Sequence, residues 1–127
     1  MGKKRILIVE DDETLNDIYR ISFGKVAEFE VDLTKSVKEA NIAIKQHQPD
    51  AIILDLLLPG DVGLSLLKQL QEEGLVNKIP VLVATNMNDF NLINRALKLG
   101  ARDYFVKSES QVEDLINECK NLLDIAD

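Results

Sequence analysis

A chain of 127 residues can bury one real core and is the length of a single domain. Hydrophobic residues make up 46% and charged residues 29%, the balance of a soluble globular protein; no apolar run is long enough to span a membrane, and no signal-peptide pattern opens the chain. The net charge of −7 argues against direct contact with a nucleic-acid backbone, and the lone Cys119 excludes an internal disulfide or a cysteine-built metal site; a cytoplasmic location fits.

Strand-like and helix-like segments alternate five times, which predicts an α/β fold with a doubly wound parallel sheet. Residues 5–9 read as a buried strand. Asp12 can cap a first helix whose Leu15, Ile18, Tyr19, Ser22 and Val26 share one stripe. Phe29, Val31 and Leu33 alternate with polar residues, the pattern of a half-covered strand at a sheet edge. Ser36 can cap a second helix with Val37, Ala40 and Ile44 facing inward, and Pro49 stops it. Residues 50–55 form an apolar, central third strand. Leu56, Leu57 and Leu58 read as core, and Pro59, Gly60 and Gly63 make the loop beyond. Leu66, Leu67 and Leu70 define a third helix that ends near Gly74. The fourth strand covers 79–84, and a helix from about 88 to 99 stops at Gly100. The fifth strand covers 103–106. From Ser110, a last helix aligns Val112, Leu115, Ile116, Cys119, Leu122 and Leu123, so Cys119 is expected to be buried and unreactive. Residues 1–127 contain no repeat or linker, and any output domain is expected to be absent or to lie outside this chain.

The polar residues that end these strands carry the chemistry. In an open parallel sheet the carboxyl ends of the strands share one edge, where ligands bind. Glu10 and Asp11, Asp55, Thr85 and Lys107 are therefore expected to meet in one crevice. Taken singly, each has an ordinary reading. The acidic run 10–13 suits the start of a helix dipole, Asp55 suits a turn, Thr85 suits a helix cap, and most lysines are solvated. Taken together, they suit a divalent cation and a phosphoryl group. Two carboxylates about 4 Å apart repel by roughly 4 kcal/mol at an effective dielectric near 20, and a third adds to this. Such a cluster becomes favourable around a hard cation, for which Mg²⁺ is the natural candidate. A carboxylate beside that ion is a competent nucleophile toward phosphorus, while Thr85 and Lys107 supply a donor and a positive charge for phosphoryl oxygens.

These residues, in this order, resemble the receiver domain of two-component response regulators over essentially the whole chain. The acidic pair after strand one is Glu10-Asp11. The phospho-accepting aspartate is Asp55, with Pro59 four residues on and Gly63 four beyond that. Thr85 follows strand four, Lys107 follows strand five, and the aromatic Tyr104 stands three positions before that lysine. The resemblance implies a flavodoxin-like three-layer sandwich with five parallel strands in the order 2-1-3-4-5. It implies that a sensor histidine kinase or histidine phosphotransfer protein donates phosphate to Asp55, and that Mg²⁺ is held by Asp11, Asp55 and the backbone carbonyl of Leu57, with Glu10 acting through water. Lys107 would pair with the phosphate, Thr85 would swing toward it, and Tyr104 would rotate inward. The surface of helix four, strand five and helix five would then change its affinity for a downstream protein. Self-phosphorylation and slow self-dephosphorylation at Asp55 would be its only chemistry, so it is not expected to be an enzyme. His47, the only histidine, reads as a solvated surface residue.

Two departures from the family's pattern stand out. Ser108 follows the lysine where the family has proline, so a trans Lys107–Ser108 bond and an altered loop are expected. Leu57 and Met87, two past Asp55 and two past Thr85, are apolar and cannot orient a hydrolytic water, which predicts a long-lived phosphoryl group. Asn86 stands where a small residue is preferred, and either restricts access to Asp55 or offers an amide to the phosphate. Arg95, Lys98, Arg102 and Asp103 make either a charged homodimer face or ordinary solvated charges. Competing readings are a pseudo-receiver that only docks partners and a Mg²⁺-dependent aspartyl phosphohydrolase, whose substrate pocket these short connections leave no room for. A flavin site is disfavoured by the acidic first loop.

Overall fold

The central strands are apolar on both faces, and that decides the layering. In β1 (Lys4–Val9) the last four residues are all buried, with side chains alternating between two cores. Leu7 and Val9 face one side with Ile52 and Leu54 of β3 (Ala51–Leu54) and Val81 and Val83 of β4 (Val81–Thr85). Ile6 and Ile8 face the other with Ile53, Leu82 and Ala84. A sheet of this kind must be covered twice. Helices α2 (Val37–Gln46), α3 (Leu64–Glu72) and α4 (Phe90–Lys98) cover the first face, and α1 (Glu13–Gly24) and α5 (Val112–Leu122) the second. This computed structural model describes residues 2–58, 61–86 and 90–125.

With β2 (Phe29–Thr34) and β5 (Asp103–Val106) at the edges, the five parallel strands run β2-β1-β3-β4-β5, the expected 2-1-3-4-5 order of a flavodoxin-like three-layer sandwich. The register matters for the site. Val9 pairs with Thr34 and with Leu54, Leu54 with Val83, and Thr85 with Val106, so the strands finish nearly level. The residues that follow them consequently emerge along one edge.

Local signals fix most helix ends. The Asp12 carboxylate accepts from Leu15 N at 3.0 Å, and Ser36 Oγ accepts from Glu39 N at 3.1 Å, so both expected caps are present. The last helix starts later than Ser110. Asp114 accepts from Gln111 N at 2.9 Å, a reciprocal bond that places the boundary at Gln111. At the end of α4, Gly100 has φ +111, and a Cβ there would lie 2.5 Å from Val76 Cγ2. Only glycine fits that turn.

Three expectations need correction. On α1 the buried face is Asn16, Tyr19 and Phe23, whereas Ile18 is 43% exposed. Tyr19 meets Phe23 edge-on at 6.1 Å, and Phe23 meets Phe29 at 6.0 Å, so an aromatic row sets the rotation of this helix. The helix ends at Gly24, leaving Val26 beyond it at the core margin. Leu56 and Leu58 are core as expected, but Leu57 is 49% exposed because Leu57–Leu58 forms a short antiparallel ladder with Asp61–Val62, and alternation turns Leu57 outward. Pro59 and Gly60 of the expected loop, and the start of the expected fourth helix, lie outside the described residues.

Other expectations stand. His47, Arg95, Lys98 and Arg102 are exposed, Cys119 is fully buried, and burial pushes its thiol up to about 12. The described residues contain no cis peptide bond, so Lys107–Ser108 is trans, and the chain passes there into a short 3-10 turn, Lys107–Glu109. None of the described helices is long and apolar enough to cross a membrane. Replacing Gly100 by alanine should lower stability by roughly 1–3 kcal/mol through the forced positive φ and the Val76 contact; urea unfolding of the two proteins checks this.

Candidate functional site

Glu10 directly follows β1, and its side chain is buried although nothing apolar about it favours burial. Two donors explain how it is tolerated. Lys107 Nζ donates to Glu10 Oε1, and Asp12 N donates to Oε2 at 3.2 Å. The backbone is held as firmly. Glu10 N donates to Thr34 O at 2.9 Å, and Asn16 Nδ2 donates to the Glu10 carbonyl at 2.7 Å.

Asp55 follows β3 and is also buried. Its Oδ1 accepts from Leu57 N at 3.0 Å, and its Oδ2 accepts from Lys107 Nζ at 3.2 Å. The aspartate is seated by close packing from below. A Cβ on Gly63, at the entrance to α3, would lie 2.4 Å from the Asp55 carbonyl oxygen. The Asp55–Leu56 backbone therefore lies directly against the start of α3, where only a hydrogen leaves room. Gly63 N also donates to Leu56 O at 2.8 Å.

One ammonium thus bridges two carboxylates that arrive on different strands. Asp11, half-buried, completes the group: carboxylate oxygens of Glu10, Asp11 and Asp55 lie within 4.8 Å of one another. They open into a cleft of about 220 Å³ lined also by Asp12, Leu15, Leu57, Asn86 and Lys107. Three hard oxygen donors around open space fit a small divalent cation better than they fit one another.

Neither Thr85 nor Tyr104 lines that cleft. Thr85 is fully buried at the end of β4, and Asn86 forms the cleft wall instead. Tyr104 sits on the edge strand with its ring exposed. Leu57 presents its apolar side chain to the cleft, while Met87 lies outside the described residues. The sequence reading missed Asn16. Its signal was a polar residue spaced to share a helical face with Tyr19 and Phe23, where an apolar one is expected.

The electrostatics follow from this crowding. Burial raises the Glu10 carboxyl above the ordinary glutamate range; the Lys107 ammonium pulls it back, Asp55 pushes it further up, and the Asp12 N–H pulls it down. Tyr19 is raised as well, by burial first and then by the carboxylates of Glu10 and Asp55, so its phenol stays protonated. A raised carboxyl takes up its proton more readily in the folded chain than in the unfolded one. Ionised Glu10 therefore costs stability above its folded pKa, and the cost disappears as pH falls below the unfolded value. Glu10→Gln should accordingly raise the melting temperature of chelator-treated protein at neutral pH. The gain should shrink as pH drops into the carboxylate range, which a series of thermal melts would follow.

The family model described as response regulator receiver domain matches residues 6–120. The phosphate regulon transcriptional regulatory protein PhoB of Rhizobium meliloti is 34% identical over 109 residues, covering 86% of this chain and 48% of that protein. The transcriptional regulatory protein QseB of Escherichia coli O157:H7 is 34% identical over 109 residues, with 86% and 48% covered. The chain thus spans about half the length of these curated relatives. A crystal structure of a two-component response regulator from Clostridium difficile superposes with a TM-score of 0.84 at 26% identity, covering 96% of this chain and 97% of that one.

Proposed function

Because the chain belongs to the response regulator receiver domain family, we propose that Asp55 accepts a phosphoryl group from the histidine of a sensor kinase or a phosphotransfer protein. The observation that carries this reading is the Lys107 ammonium shared between Glu10 and Asp55, beside Asp11, at the open edge of the sheet. An Asp55 carboxylate oxygen attacks phosphorus. The new O–P bond forms as the N–P bond of the donor breaks, and the electron pair returns to the imidazole nitrogen. Asp11, Asp55 and the Leu57 carbonyl would hold Mg²⁺, with Glu10 acting through water. When bound, the ion shields the attacking carboxylate from the negative charge of the phosphoryl group.

The remaining roles belong to the chain's own groups. Lys107 is already within hydrogen-bonding distance of Asp55 and needs little displacement to pair with a phosphoryl oxygen. Thr85 would turn its hydroxyl toward the same group from beneath the edge, and Tyr104 would fold inward from its exposed position. That exchange would alter the face formed by α4, β5 and α5, where an unidentified downstream protein or a second copy of the chain would bind. The domain would work in the cytoplasm as a switch rather than as a turnover enzyme, without touching nucleic acid itself.

Incubation with a small acyl phosphate and Mg²⁺, followed by intact mass measurement, should show one added phosphoryl group that Asp55→Asn abolishes. Unchanged mass in the parent protein would leave a docking module with an unused pocket. The apolar, exposed Leu57 beside Asp55 supports a long-lived acyl phosphate, because it offers no hydrogen bond to an attacking water. Leu57→Asn with Met87→Glu should shorten that lifetime by up to about a hundredfold, the lower end of what a positioned acid–base group contributes. Decay of the phosphorylated mass over time measures it, and equal rates would refute the role given to Leu57.

A further inference from the structure

Asn16 is a poor helix former lying on the buried face of α1 with Tyr19 and Phe23, and is only 3% exposed. Its Nδ2 bond to the Glu10 carbonyl is buried and reaches back six residues. A carbonyl oxygen can only accept, so this bond decides which end of the amide faces the acidic loop. Oδ1 is turned away, and among the described residues it is the one buried side-chain polar atom with no partner. An orphaned acceptor weakens a fold. Packing alone would favour an apolar residue here, so the value of Asn16 lies in what its amide holds.

What it holds is the entry to the acidic pair. Glu10 is gripped at both backbone polar groups, its N–H by Thr34 O on β2 and its carbonyl by Asn16 on α1. The Glu10 carbonyl lies in the same rigid plane as the peptide nitrogen of Asp11. Asp11 itself belongs to neither β1 nor α1, so this plane sets the direction in which it leaves the strand. We infer that Asn16 is a positioning residue for the acidic pair, fixing the Glu10–Asp11 peptide so that the Asp11 carboxylate stays beside Asp55 and the three carboxylates bind a divalent cation. The inference rests on the metal-binding reading above and adds a residue to it that touches neither the ion nor the phosphoryl group.

The free Mn²⁺ signal in electron paramagnetic resonance gives an affinity without any phosphorylation. Asn16→Leu removes the amide and its orphaned oxygen while keeping the volume, and should weaken Mn²⁺ binding about tenfold or more, as loss of a group that orients metal ligands typically does. Gly100→Ala is the control for general loosening. It strains the turn after α4 against Val76 and touches none of the partners of Glu10. It should lower the melting temperature yet hold Mn²⁺ within about twofold of the parent protein, as expected for a site with no shared partner. If Asn16→Leu does not fold, Asn16→Ala carries the same expectation. Parent-like affinity in the Asn16 variant overturns the inference, and so does an equal loss in Gly100→Ala. Failure of the parent protein to bind Mn²⁺ overturns the metal site itself, and the positioning role with it.

Discussion

One ammonium bridges two buried carboxylates, with a third carboxylate beside them. Glu10 and Asp55 are both buried, and each accepts from Lys107 Nζ, while Asp11 adds its charge within 4.8 Å. A single positive charge cannot neutralise three negative ones, so the edge of the sheet carries a standing excess that burial makes costly. Clustered oxygen donors suit a small divalent cation, and an ammonium suits the oxygens of a phosphoryl group. Burial does most to raise the Glu10 carboxyl, and the charge of Asp55 adds to it.

The rest of the fold serves to keep that imbalance in place. Level strand ends bring Glu10, Asp55 and Lys107 to one edge although they lie far apart in sequence. Gly63 lets the start of α3 press against the Asp55 backbone, and Leu57 N fixes one oxygen of its carboxylate. On the other side, the aromatic row of Tyr19, Phe23 and Phe29 fixes the rotation of α1. That rotation puts the Asn16 amide against the Glu10 carbonyl. Repulsion that would spread the loops in a looser structure is thereby resisted by packing.

Much of this was legible in the sequence, and the failures have identifiable causes. Uninterrupted apolar runs in β1, β3 and β4 identify buried strands, and the polar residue ending each run identifies the edge. Asp12, Ser36 and Gly100 mark helix ends because their chemistry acts locally. The face of α1 was misjudged because periodicity counts apolar residues, and here a polar one points inward to a backbone acceptor that only the folded chain supplies. Leu57 was misjudged because a two-residue ladder is too short to leave a pattern, yet it turns one of three leucines expected in the core outward. The burial of Thr85 and the cleft-facing place of Asn86 depend on how β4 ends, which no spacing rule gives.

The span of the Lys107 side chain has a mechanical meaning. β5 is the outermost strand on its side and pairs with β4 alone, whereas β1 and β3 lie in the interior of the sheet. By gripping the acids that end those inner strands, the lysine laces the rim of the molecule to its middle. Tyr104 stands three residues upstream along the same ribbon and open to solvent. A single side chain thus ties the outermost, solvent-facing strand to the half-hidden pocket.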